Sequence, residues 1–291
     1  MELIQVGKNT YYIKNNTNIG VYCINDHEVY LIDTGNDKDA GKKILKIIDE
    51  HGWVIKGIIN THSNADHIGG NEVIQKRSGC EVLSYGREKS FIEYPDFEST
   101  LLYGGFPFAD LRNKFLMAKS SAVKDIDGNL PEGLCYFSLK GHFVDMIGIK
   151  TSDDVYFLGD ALFSLETISK YGVFFLYDVK SFLETLEFLK TLEGKLFIPS
   201  HVEALASLDE IILENGKKVK EISQVVCSFC ESCHTFEEIL AHVFEHYNLS
   251  MNMNQYVLIG STIRSYLSYL YETGKLSYEF INYQMIWKTI E

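Results

Sequence analysis

Thr61-His62-Ser63-Asn64-Ala65-Asp66-His67-Ile68-Gly69-Gly70 is the stretch on which the interpretation of this 291-residue chain turns. His62, Asp66 and His67 fall within six residues, a dense supply of nitrogen and oxygen donors for a borderline metal, and few structural roles need that combination. Immediately upstream, Val54 to Ile59 reads as a buried strand, so the polar loop lies at the C-terminal end of a strand. Farther upstream, Tyr11-Tyr12-Ile13, Ile19 to Ile24 and Val29 to Ile32 read as strands, the last ending at Asp33-Thr34-Gly35. Between Asp37 and His51, Ile44, Leu45, Ile47 and Ile48 recur at helical spacing and Gly52 supplies the stop. Downstream, Ile68 to Arg77 suits a helix closed by Gly79, and Glu81-Val82-Leu83 suits the next strand.

Residues 85–131 break this rhythm: Phe91, Tyr94, Phe97, Tyr103, Phe106, Phe108 and Phe115 are scattered among Gly and Pro. The stretch reads as an inserted cap, with Tyr103 to Phe108 joining flexible glycines to aromatic rings as in a lid. Packing of those rings against the C-terminal part or a second subunit is the alternative. Strand signals return at Leu134 to Leu139, Met146 to Thr151 and Val155 to Leu158, then a helix near Val179 to Thr191 and a strand at Leu196 to Pro199. Beyond about Ile211 the pattern is mostly helical, which predicts a small separate domain over 211–291 after a larger one over 1–210.

Three further polar residues follow apolar strands in the manner of the first loop: His142 after Ser138-Leu139-Lys140-Gly141, Asp160 after Tyr156 to Gly159, and His201 after Phe197 to Ser200. Singly, each histidine is as readily a hydrogen-bonded loop residue, and the aspartate a turn former or helix cap. Together, four strand ends bearing histidines and carboxylates point to one rim of a sheet, where α/β proteins place their sites.

In the order and spacing of these motifs, residues 1 to about 210 resemble the metallo-β-lactamase superfamily, whose signature is His-x-His-x-Asp-His followed by a His, a bridging Asp and a final His. The resemblance implies an α/β, four-layer αβ/βα sandwich. It implies that Asp66, His67 and His201 form one metal position, that His62 and His142 contribute to another, and that Asp160 bridges them. Asp33 matches the superfamily's early Asp, which supports the ligands from behind, although a turn residue after a strand would look the same. Asn64 departs from the pattern, standing where the signature has its second histidine. A carboxamide oxygen is a poorer zinc ligand than imidazole, so the His62/His142 position is expected to bind more weakly. One tightly held zinc, two zincs, or a metal such as iron or manganese that accepts more oxygen are the expected cofactors. Such a site implies attack by metal-activated water, with Asp66 as the catalytic residue that orients the water or takes its proton. The stretch from Thr235 through Trp287 is similar to the winged-helix-like tail of several hydrolases of this fold, tails that contribute to substrate positioning or subunit contact.

Composition narrows the function. The formal net charge of -13 repels a phosphate backbone, and residues 219–291 carry Lys220, Arg264, Lys275 and Lys288 against eight Glu, so a nuclease or DNA-reading role is disfavoured. No apolar run is long enough to span a membrane, and Met1-Glu2-Leu3-Ile4-Gln5 lacks the basic and apolar regions of a signal peptide, so a cytoplasmic address is expected. Cys23, Cys80 and Cys135 give no disulfide framework. Cys227, Cys230 and Cys233 recur every third residue beside His234; a structural zinc site needs more than this spacing supplies, and one face of a helix explains it as well. The expected function is hydrolysis of a small ester, thioester or related acyl compound, with an iron-dependent redox or sensor protein of the same fold as the alternative. A homodimer is left open.

Overall fold

The computed structural model describes residues 1–290. The first sheet takes its strands in chain order: β1 (Glu2–Gln5), β2 (Thr10–Lys14), β3 (Ile19–Cys23), β4 (Glu28–Ile32), β5 (Val54–Ile59), β6 (Glu81–Ser84) and β7 (Lys124–Asp125). Pairing is antiparallel as far as β4 and parallel from β4 to β7. The second sheet has the order β11-β10-β9-β8, from β8 (Leu134–Ser138), β9 (Ile147–Thr151), β10 (Val155–Phe157) and β11 (Leu196–Ile198). The short β1, half-buried and without alternation, was not visible to pattern reading.

Two helices cover the outer face of the first sheet. In α1 (Lys38–Glu50) the Asp37 carboxylate caps the N-terminus by accepting from the amides of Asp39 and Ala40, and Ile44 and Ile48 are buried. A single turn, α2 (Ala65–Ile68), precedes α3 (Asn71–Ser78), which ends at Gly79 in the left-handed conformation. The expected helix from Ile68 is thus broken at Gly69-Gly70. On this side Ile44, Ile48, Val73 and Ile74 pack against Val29, Leu31 and Ile58. Between the sheets, Tyr12, Ile32, Ile59 and Leu83 meet Ile147, Ile149, Val155 and Ile198. The layers are therefore helix, sheet, sheet, helix, an αβ/βα sandwich.

The fourth layer opens after a short α4 (Glu88–Glu93), α5 (Asp96–Tyr103) and α6 (Leu165–Tyr171), with α7 (Val179–Leu189) and α8 (Asp209–Phe229) against the second sheet. The tail continues with α9 (Phe236–His246) and α10 (Met253–Glu272). It ends in a three-stranded sheet of β12 (His234–Thr235), β14 (Gln284–Thr289) and β13 (Leu276–Ile281). One hydrophobic cluster runs from Leu139, Phe182 and Leu186 through Ile212 and Val226 to Ile263 and Trp287, with no break in packing at residue 210. Cys230 is buried in that cluster and Cys233 is exposed, while the Phe229 ring stacks between His234 and His242, at 3.9 and 4.1 Å.

The segment 85–131 is more ordered than its composition suggests. It supplies α4, α5 and β7, and Leu102, Leu111 and Leu116 pack on Val257 of α10. Tyr94, Phe97, Tyr103, Phe106 and Phe115 remain exposed. No helix among the described residues is long and apolar enough to cross a membrane.

Candidate metal centre

Parallel strands carry the polar loops to one rim. β5 delivers Thr61 to His67, β10 delivers Asp160 and β11 delivers His201, with the Ser200 amide donating to Gly159 O at 2.9 Å. The Ile147 amide donates to Thr61 O at 2.9 Å, tying the two sheets together beside the site. His142 follows Gly141, which has a φ of +126° and where a Cβ would fall 2.3 Å from the backbone of Phe182, so no side chain fits. The seven residues His62, Asn64, Asp66, His67, His142, Asp160 and His201 meet there.

Each imidazole is anchored through Nδ1 and presents Nε2 inward. His67 Nδ1 donates to Asp33 Oδ2 at 2.8 Å, His201 Nδ1 to Asn16 O at 2.7 Å and His142 Nδ1 to Phe175 O at 3.1 Å. His62 Nδ1 lies 3.0 Å from Thr61 Oγ1, which in turn donates to Asp33 Oδ2 at 2.7 Å. Asp33 also accepts from the Thr61 amide at 2.9 Å, and it adopts a φ of +62°, a strained conformation that aims its carboxylate at both the strand end and His67.

The inward atoms converge. His67 Nε2 is 3.2 Å from Asp160 Oδ1 and 3.7 Å from Asp66 Oδ2; His201 Nε2 is 3.2 Å from Asp66 Oδ2 and 3.3 Å from Asp160 Oδ2. His142 Nε2 lies 3.5 Å from Asp160 Oδ2 and 3.0 Å from Asn64 Oδ1. His62 Nε2, His67 Nε2 and Asp160 Oδ1 are buried without a hydrogen-bond partner. Orphaned buried acceptors of this kind are costly unless a cation satisfies them, and two groups, His62/His67/Asp160 and Asp66/His67/His201, have the compactness of a coordination shell. The donor set fits a divalent ion.

The electrostatics carry the same demand for positive charge. Burial opposes charge on His67 and His201, but Asp160 and Asp66 outweigh it and hold both imidazoles well above their ordinary range. His62 and His142 respond chiefly to burial and fall below theirs.

Sequence reasoning missed two acids of the 85–131 segment. Glu88 is fully buried and accepts from the Ser63 amide at 3.0 Å, Ser63 Oγ at 2.5 Å and the Asp145 amide at 2.7 Å. Glu98, also buried, accepts from Asn64 Nδ2 at 2.8 Å. Burial pushes the Glu88 carboxyl up to about 7 and raises Glu98 well above the carboxylate range. Nothing in a single sequence separates such acids from surface ones. Beside His201 and Asp160 opens a cleft of about 640 Å³.

A family model described as the metallo-beta-lactamase superfamily matches residues 13–201. A hydroxyacylglutathione hydrolase from Rhodospirillum rubrum is 31% identical over 91 residues, 29% of this chain and 35% of that protein. Another from Rhizobium etli is 30% identical over 123 residues, 42% of this chain and 40% of that protein. The chain thus spans less than half the length of these curated relatives. Among solved structures, a beta-lactamase domain protein from Burkholderia ambifaria shares the fold at a TM-score of 0.71 and 14% identity, over 99% of this chain and 94% of that one. A metallo-beta-lactamase family protein from Thermus thermophilus does so at 0.68 and 16%, over 99% and 97%. The family match runs from within β2 to His201, more than half of the chain, and takes in every strand end that feeds the cluster: the chain belongs to the metallo-beta-lactamase superfamily.

Proposed function

We propose that the chain is a metal-dependent hydrolase that directs water from the His62 to His201 cluster at a small ester, thioester or related acyl compound. The observation that carries this reading is the convergence of the unpartnered His62 Nε2, His67 Nε2 and Asp160 Oδ1 on Asp66 and His201 at the mouth of a cleft. Asp66, His67, His201 and Asp160 would hold one ion, and His62, Asn64, His142 and Asp160 another, with zinc as the expected metal. A divalent ion supplies Lewis acidity and a water of near-neutral pKa. Asp66, hydrogen-bonded by Thr17 Oγ1 at 3.3 Å, would orient the attacking water and take its proton. The cleft suits a small compound with apolar and polar parts, since Tyr12, Phe163 and Tyr171 line it together with Asn16 and Lys170. The relatives named hydroxyacylglutathione hydrolase support an acyl substrate. Residues 211–291, which we take as a winged-helix-like domain, would position substrate or contact a second subunit.

Elemental analysis of protein purified without chelators, with Asp160→Ala and His201→Ala variants, tests the reading together with a panel of esters and thioesters. Zinc or manganese that is lost in Asp160→Ala and reduced in His201→Ala, with hydrolysis of a panel member, is the expected result. Iron would favour the redox alternative, and protein that takes up no metal after reconstitution would overturn both.

A further inference from the structure

We propose that Glu98 makes Asn64 a metal ligand, so that the deeper half of the cluster keeps a second metal position of two imidazoles and two oxygens (His62, His142, Asn64 and Asp160) despite the missing histidine; this rests on the hydrolase reading above.

A carboxamide has an acceptor end and a donor end, and only one orientation serves a cation. Glu98 Oε1 accepts from Asn64 Nδ2 at 2.8 Å, and a carboxyl oxygen can do so whether the group is ionised or neutral. Asn64 Oδ1 is thereby turned inward, 3.0 Å from His142 Nε2. His142 commits its Nδ1 proton to Phe175 O at 3.1 Å, which leaves a lone pair on Nε2. Two lone pairs facing each other with no proton between them repel. Donor atoms bound about 2.1 Å from one ion, however, lie about 3.0 Å apart at octahedral angles and about 3.4 Å apart at tetrahedral ones, so these spacings are within the range of edges of a coordination shell. His62 Nε2, without a partner, and Asp160 Oδ2, 3.5 Å from His142 Nε2, supply the other donors.

Glu98 is held where this requires it. It lies on α5, where the neighbouring Ser99 Oγ donates to Leu111 O at 2.8 Å and Leu102 packs with Leu111, Leu116 and Val257. The segment 85–131 therefore acts on the metal centre from behind, through Asn64, and Glu98 is a positioning residue. With an amide oxygen in place of an imidazole, this position should tolerate manganese or ferrous iron better, relative to zinc, than the Asp66/His67/His201 position does.

The test is metal stoichiometry. Chelator-stripped full chain is titrated with zinc and with manganese by calorimetry, and bound metal is counted after gel filtration. Wild type and Glu98→Gln, whose amide oxygen still accepts from Asn64, should hold two ions per chain. Glu98→Leu should hold one, or bind the second about 10- to 100-fold more weakly. Asn64→Ala, with Glu98 in place, should also hold one, so the outcome does not depend on one variant folding. The double variant Asn64→His/Glu98→Leu should regain the second ion, because an imidazole does not need the amide's orientation. A wild type that holds a single ion, lost in His201→Ala, would overturn this proposal and leave the hydrolase reading standing. Two ions held by Glu98→Leu at unchanged affinity would also overturn it, as would an amide turned the other way and donating to His142 Nε2. A wild type that binds no ion would remove the hydrolase reading itself.

Discussion

Glu88 illustrates how much a residue away from the chemistry can decide. Its carboxylate satisfies three donors in a fully buried place, two of them on Ser63 in the middle of the histidine loop. Glu88→Ala would strand those donors, and a loss of about 2–4 kcal/mol of unfolding free energy is expected, read from urea midpoints. The group also gives stability a pH dependence. Burial raises its folded pKa from 4.5 to about 7, so its contribution is complete below about 4.5 and declines as pH rises through about 7. Urea midpoints of metal-free wild type should fall over that window by a component that Glu88→Gln lacks. Asp33 is the second such residue: Asp33→Asn leaves His67 and Thr61 with a weaker acceptor, and metal affinity measured by chelator competition should drop about 10- to 100-fold.

At the scale of elements, the histidine loop is positioned by the close approach of α1 to the turn before α3. A Cβ on Gly41 would lie 2.5 Å from Val73 Cγ1 and 3.0 Å from the backbone of Gly70. Helix propensity alone would make Gly41→Ala stabilising by about 1 kcal/mol. Overpacking should reverse the sign and cost about 1–3 kcal/mol, seen as a lowered melting temperature. Periodicity located α1, β5 and α7 because each buries a regular face, as Ile44 and Ile48 do. It was uninformative over 85–131, where α4 and α5 are short and turn their acids, Glu88 and Glu98, inward.

At the scale of the whole molecule, the helices on the second sheet and the tail share one hydrophobic cluster. The cluster that joins Phe182 and Leu186 to Ile263 and Trp287 would be cut by removing residues 211–291. A chain ending at residue 210 should therefore lose near-ultraviolet circular dichroism and bind hydrophobic dyes, whereas one that melts cooperatively would show that the sandwich stands alone. Binding at the rim should feed back on the same fold. A metal at 100-fold excess over its Kd adds about 2.7 kcal/mol, so chelation should lower the melting temperature of wild type and leave Asp160→Ala, which loses the carboxylate shared by both positions, nearly unmoved.

Residue order alone was enough to locate a polar loop rich in metal-type donors after a buried strand and three further strand ends bearing His142, Asp160 and His201, and the sandwich came from the family resemblance that these motifs carry. That much is legible because histidines and carboxylates next to apolar strands are chemically conspicuous, and strand and helix periods are local properties of the chain. Tertiary structure decided which acids stand behind the loop, which way the Asn64 amide faces, and that the tail shares a core with the second sheet. A glutamate reads the same in a sequence whether water or a packed helix covers it. Only the fold sets its burial, and burial is what turns Glu88 and Glu98 from surface charges into parts of the site.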